Sequence, residues 1–213
     1  VAHGVPRFDF IFIKSKSKKE LKSVFFSPYP FEKIVFYANS FEKILENKID
    51  DFHLDFIYTV AKNKQDKFVI KTKSASHYKK YVIDLIEKSH INKIPDNLIV
   101  TGQFNAQELM SKSEYICGFN STTLIEATIM EKPVITLAMD KVTDDHDKML
   151  LSLNPQALFW TDFNMFSQYL YSKTQRQTFK TTDELIDIIH TDKGDSSRRI
   201  ESEIIKSIKE INK

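Results

Sequence analysis

The chain has 213 residues, 41% apolar and 28% charged, with 31 Lys and Arg against 29 Asp and Glu and a formal net charge of +2. This is the composition of a globular chain with room for one large domain; it excludes disorder, and the interleaved acids leave no basic field of the kind nucleic acid demands. The single cysteine, Cys117, excludes an internal disulfide framework and fits a reducing compartment, and no apolar run approaches the ~18 residues of a membrane span.

The N-terminal VAHGVPRFDF lacks both an initiator Met and the basic start and apolar core of a signal peptide, so a chain cut from a longer protein is expected. Residues 14–30 are polar and then Pro-rich, and read as a helix plus a loop that could be a hinge. KIVFYA at 33–38 is β-branched and aromatic and reads as the first strand. Over 50–63, apolar Phe52, Phe56, Ile57 and Val60 fall on one face of a helix. KFVIK at 67–71 reads as a strand, the stripe Tyr78, Val82, Leu85 and Ile86 as a helix, and NLIVTG at 97–102 as a strand ending on a glycine. Then follow a short helix (AQELMSK), a strand (EYICGF), a helix (STTLIEATIM) and a strand (PVITLA). DDHDKMLLSL reads as helical and ALFW as a short strand, with helices at 162–173, 181–190 and from about 195 to the end.

Strands separated by single helices lie parallel, and continuously apolar strands such as VITLA and NLIV are buried on both faces. The expected fold is therefore α/β, a Rossmann-like, open, doubly wound parallel sheet. It divides into a linker or hinge with the first element at 1–30, the Rossmann-like domain at 31–160, and a C-terminal helical segment at 161–213 packed on it. Ligands in such sheets sit at the carboxyl ends of the strands. Those ends carry Asn39 and Ser40, then Lys71 to Lys73, Gly102 with Gln103 and Phe104, Gly118 to Ser121 with Asn120 between, and Asp140.

The run Ser121, Thr122, Thr123 opens a helix and satisfies two readings. A helix start exposes unpaired N–H groups and partial positive charge, to which a phosphate binds and hydroxyls add donors, with Gly118 letting the backbone come close to the ligand. Alternatively, Thr123 caps the helix and Glu126, three residues on, reaches back in a capping box. One hydroxyl suffices for a cap, and three are present. Neither a P-loop nor a GxGxxG pattern occurs.

The stretch SEYICGFNSTTLIEATIMEKPVITL resembles the donor-binding segment of bacterial GT-B glycosyltransferases that build surface polysaccharide. This group includes the capsule and lipopolysaccharide Kdo-transferase type and, more distantly, the CDP-glycerol polymerases. The matching residues are Glu114, Tyr115 to Cys117, Gly118, Ser121-Thr122, Glu126-Ala127 and Lys132 to Ile135. GVPRFDF at 4–10 is similar to the stretch that opens the C-terminal half of such enzymes, and FVIKTKS at 68–74 to an apolar strand ending in Lys and then His. Here Lys73 or Ser74 stands near the expected His, with His77 one helical turn on.

The resemblance implies a donor-binding half with Ser121, Thr122 and Thr123 on the donor phosphate and Glu126 on ribose hydroxyls. The partners implied are a CMP-, UDP- or CDP-linked donor, a glycan or lipid-linked acceptor, and an N-terminal acceptor domain. It implies no metal and no cofactor, and a cytoplasmic enzyme or one peripheral at the inner membrane face. Lys71 and Lys73 could pair with phosphate or an acidic sugar's carboxylate, or form a solvated strand edge. Gly102, Gln103 and Phe104 could present backbone groups and a ring to a nucleobase, or form a plain loop. Asp144, Asp145, His146 and Asp147 suit a helix start better than a metal site, since adjacent helical side chains point apart. Cys117 reads as an inert buried thiol. Three functions remain open: transfer of a sugar, including Kdo from CMP-Kdo; transfer of a polyol phosphate from a CDP-glycerol-type donor; and a non-catalytic Rossmann-like module.

Overall fold

A computed structural model describes residues 21–26, 40–89, 91, 93–119, 121–137, 158–160, 162–171 and 196–211. In chain order they form β1 (Leu21–Phe26), α1 (Ser40–Lys62), β2 (Phe68–Lys71), α2 (Ser76–Lys88), β3 (Leu98–Thr101), α3 (Ala106–Lys112), β4 (Ser113–Gly118), α4 (Thr122–Ile129), β5 (Val134–Leu137), β6 (Leu158–Trp160), α5 (Phe163–Tyr171) and α6 (Ser196–Ile211). Six strands make one sheet in the order β3-β2-β1-β4-β5-β6. All five pairings are parallel. This is the doubly wound order in which the chain builds outward on one side of β1, then returns to build on the other.

Alternation along the strands divides the core in two. In β1, Phe25 faces a cluster with Phe52, Phe56, Ile57 and Val60 of α1, Val82 and Ile86 of α2, and Leu170 of α5. Its neighbours Val24 and Phe26 face the opposite cluster, with Leu109 and Met110 of α3 and Leu124 and Ala127 of α4. β4 repeats the pattern, with Cys117 on the first side and Ile116 on the second. The Phe25 ring stands 4.8 Å from that of Phe52 and 4.9 Å from that of Phe56. A sheet so covered needs strands apolar on both faces, as β1, β2 and β5 are.

Helix ends are closed by side chains. Asn97 Nδ2 donates to Val60 O at 3.2 Å, to Asp66 O at 3.1 Å and to Asn63 O, tying the end of α1 to the turn before β3. Asn105 Oδ1 accepts from the N–H groups of Gln107 and Glu108 and starts α3. α4 stops at Glu131, whose φ of 55° is the left-handed turn that ends many helices, with Lys132 N–H donating to Ala127 O.

The β-α order, the short helix AQELMSK and the final helix agree with the sequence reading; α6 carries exposed Ile204, Ile205 and Ile208. The first strand does not agree. Residues 21–26, read as helix and loop, form β1, which pairs with both β2 and β4 at the centre of the sheet. The polar KSKSKKE before it masks a short apolar strand, because an inner strand needs only a few apolar residues when neighbours satisfy its backbone on both sides. The expected strand at 33–38 and the helices at 144–153 and 181–190 lie outside the described residues, as does the acidic cluster at 144–147. Among the described residues no helix is long and apolar enough to cross a membrane.

Two titratable groups on α1 oppose each other. Burial holds the His53 imidazole down to about 4, against the hydrogen bond between Nδ1 and Ile49 O. Burial pushes the Asp55 carboxyl up to about 6, against the N–H that Trp160 donates at 2.8 Å, with Asp51 and Asp162 adding to the rise. The lowered His53 contributes stability that is present above its unfolded value of 6.5 and is lost as pH falls through about 4. The raised Asp55 contributes stability that is present below its unfolded value of 3.8 and is lost as pH rises through about 6. Urea melts across pH 4–7 are expected to show a steeper rise of stability with pH in Asp55→Asn, which keeps an acceptor for Trp160 and leaves His53 unopposed. An unchanged profile would place the burden on other groups.

Candidate functional site

Parallel register sets one residue of each strand in a row across the carboxyl end of the sheet: Thr101, Lys71, Phe26, Gly118, Thr136 and Phe159. Strand order reverses between β1 and β4, so the predicted crevice opens where Phe26 and Gly118 pair. β4 delivers the chain from Gly118 through Phe119 to Ser121, and α4 begins at Thr122.

Gly118 is small for packing. A Cβ there would lie 3.2 Å from Leu124 Cδ2, 3.3 Å from Phe26 O and 3.4 Å from Phe26 Cβ. The missing side chain lets α4 lie close against the β1–β4 seam. The space a side chain at 118 would take is occupied by Leu124 and Phe26.

The cap differs from the expected one. Ser121 is the N-cap, with φ −139° and ψ 133°, and its Oγ accepts the Thr123 N–H at 3.3 Å. Ser121 Oγ and Thr123 Oγ1 share a further hydrogen bond of 2.7 Å. With Thr122 as the first helical residue, the third is Leu124, so Glu126 stands too far along α4 to close a capping box with Thr123. Spacing alone offered Thr123–Glu126 as the box; the backbone placed the helix start two residues earlier. Thr122 is the exposed hydroxyl of the three, and among the described residues no hydrogen bond occupies it. Glu126 lies in the second turn and is buried, at 1% exposure.

A second group of sequence candidates meets at the ends of β2 and β3. Lys71 Nζ donates to Gly102 O at 3.0 Å and to Thr72 O. Burial lowers the Lys71 ammonium from its usual range. Gly102 is required here, since a Cβ would fall 2.5 Å from Lys73 O. Thr101 Oγ1 accepts the Gln103 N–H at 3.2 Å. Lys73 and Gln103 are exposed, and the Phe104 ring is 53% exposed. Ser40 is the first residue of α1; its side chain, like Asn120 as a whole, lies outside the described residues.

Sequence reading missed the role of Lys132. It was matched with the donor segment, yet it lies at the other end of the sheet. Its buried Nζ donates to Ser111 O and Ser113 O, both at 2.8 Å, and so satisfies carbonyls where α3 gives way to β4. A lysine between a helix end and a continuously apolar strand was the available signal. An open groove of ≈ 530 Å³ lined by Lys62, Asn63, Ser167 and Tyr171 is also at that amino end, where α1 finishes before β2.

No family model matches the chain, and no curated protein matches it in sequence. Solved structures do match. The wall teichoic acid polymerase TagF soaked with CDPG aligns with a TM-score of 0.63 at 16% identity, over 100% of this chain and 53% of that one. A protein described as a UDP-N-acetylglucosamine 2-epimerase from Listeria monocytogenes aligns with a TM-score of 0.57 at 12% identity, over 98% and 53% of the two chains. The UDP-GlcNAc 2-epimerase from Neisseria meningitidis bound to UDP-GlcNAc gives 0.51 at 15%, over 94% and 48%. At these identities the likeness establishes the fold: a Rossmann-like α/β half of the GT-B type. The chain spans about half the length of these structures.

Two substitutions test the structural roles. Ser121→Ala is expected to lower stability by about 1 kcal/mol through loss of the cap, while Thr122→Ala leaves the melting temperature unchanged. Lys132→Met is expected to cost about 2 kcal/mol in chemical denaturation, because two buried carbonyls lose a charged donor. A neutral Lys132→Met would show that those carbonyls find other partners.

Proposed function

We propose that this chain is the donor-binding half of a GT-B transferase, taking a nucleotide-linked donor along the carboxyl ends of β3 to β4. The observation that carries the reading is the start of α4. It is held over the seam where strand order reverses, capped internally by Ser121 and offering Thr122 outward. A donor phosphate placed there meets the helix dipole and the Thr122 hydroxyl, with Lys73 able to approach from the β2 loop. These groups stabilise negative charge on the departing phosphate, and fixed donors aimed at a leaving group make such stabilisation effective.

The rim supports a direction for the donor. β4 and β3 are three strand spacings apart, roughly 14 Å. An extended nucleoside diphosphate reaches across that distance, with its phosphates at α4 and its base against Phe104 and Gln103. Glu126, in the second turn of α4, is the ribose partner in this scheme, and its burial means that covering side chains must yield before a hydroxyl reaches the carboxylate.

The acceptor, a glycan or lipid-linked chain, and the catalytic base would belong to a second α/β half. The partial span of the matched structures is consistent with this. The resemblance of residues 114–137 favours transfer of a sugar, including Kdo from CMP-Kdo, within the cytoplasm. The match to a structure of TagF soaked with CDPG favours glycerol phosphate from CDP-glycerol as the second reading.

Thermal shift with CMP, CDP, UDP, GDP, CMP-Kdo and CDP-glycerol tests the reading. A ligand at 100 times its Kd should add ~2.7 kcal/mol of stability. Stabilisation by a nucleotide that Thr122→Ala weakens is expected, and the preferred conjugate separates the two transfers. No shift with any of them at millimolar concentration would sink the donor-site reading and leave a non-catalytic module.

A further inference from the structure

We infer that Lys71 is a positioning residue that sets the 102–104 loop for base recognition and does not itself touch the donor; this rests on the donor-site reading above. The last backbone hydrogen bond between β2 and β3 among the described residues runs from the Thr72 N–H, just past β2, to the carbonyl of Thr101, the final residue of β3, at 2.8 Å. Beyond it the join is the Lys71 ammonium, which donates to a carbonyl of each loop, Thr72 O and Gly102 O. These two carbonyls are its partners among the described residues, and no carboxylate there comes within ion-pair distance of it.

The loops are in backbone contact at this point. Lys73 O lies 2.5 Å from where a Gly102 Cβ would be, so the two loops meet backbone to backbone and a side chain at 102 would force them apart. A half-buried ammonium has three N–H groups, and Lys71 uses one on a carbonyl of each loop, Thr72 O and Gly102 O. The next residue out, Gln103, is fixed by its N–H on Thr101 Oγ1, and Phe104 follows with its ring in solvent. Lys71 therefore acts on the base through Gly102. Phosphate binding falls to α4, and Lys73 is the exposed cation of the β2 loop.

The test uses Lys71→Met and Lys71→Arg, with affinities for CMP, UMP and inorganic pyrophosphate measured by calorimetry. Amide hydrogen exchange over residues 102–105 is followed without ligand. Lys71→Met is expected to reduce discrimination between the two bases by roughly tenfold, the size of effect a misplaced polar contact produces. Pyrophosphate affinity stays unchanged, and exchange over 102–105 quickens. Lys71→Arg, which can donate to both carbonyls, restores discrimination. Thr122→Ala should behave in the opposite way, losing pyrophosphate affinity and keeping discrimination. The inference is overturned if Lys71→Met weakens pyrophosphate and nucleotides in step, which would make Lys71 a phosphate contact. It is also overturned if stability falls while discrimination and exchange hold. If the unaltered chain binds no nucleotide, the donor-site reading fails and base positioning with it, while exchange still upholds or overturns the clamp.

Discussion

The site hangs on the close contact at Gly118. Where β4 ends, the absence of a side chain lets Leu124 and Phe26 meet across the strand, and this draws α4 onto the seam between β1 and β4. A Cβ at 118 would meet a Leu124 methyl of α4 and the Phe26 carbonyl of β1 at 3.2–3.3 Å, so one of these neighbours would have to give by a few tenths of an ångström. At the start of α4 the Thr123 N–H is taken by Ser121 Oγ and the Leu124 N–H by Ser121 O, which leaves the Thr122 side chain as the exposed polar group of the turn.

The two ends of the sheet are built differently. At the amino end, long polar side chains turn inward and close the backbone: Asn97 takes carbonyls at the end of α1, and Lys132 takes those where α3 meets β4. Buried carbonyls left without donors would cost more than the hydrogen bonds themselves return, so these residues fix the frame. At the carboxyl end Thr122, Lys73, Gln103 and Phe104 reach solvent, and the inward-turned groups are local: Ser121 for α4, and Lys71 for the pair of loops. The amino end thus uses its long polar side chains on the backbone, while the carboxyl end leaves several of its own exposed.

Much of this was legible from the sequence because periodicity survives in short segments. AQELMSK could be read as α3 and VITL as a buried strand without reference to partners. Cys117 was rightly placed as a buried thiol, since an apolar strand between helices has no wet face. Two local readings failed for physical reasons. LKSVFF follows a run of lysines, and its strand character comes from lying between β2 and β4, which no local window contains. The capping box at Thr123 and Glu126 has the right spacing, but the turn out of β4 let the helix begin earlier, and Ser121 took the cap. Lys132 has a motif's appearance and a structural use.

The sequence by itself determined that the chain alternates strands and helices, that its strands are parallel and covered on both faces, and that small and polar residues gather at their carboxyl ends. These follow from covalent order and the spacing of apolar residues, which are local quantities. The tertiary structure alone decided which strand is central, where the order reverses, and which hydroxyl caps and which faces out. It also decided that Lys71 and Gly102, 31 residues apart, share a hydrogen bond. Those are matters of register and packing between distant segments. Their free energy depends on neighbours that are adjacent only after the chain has folded.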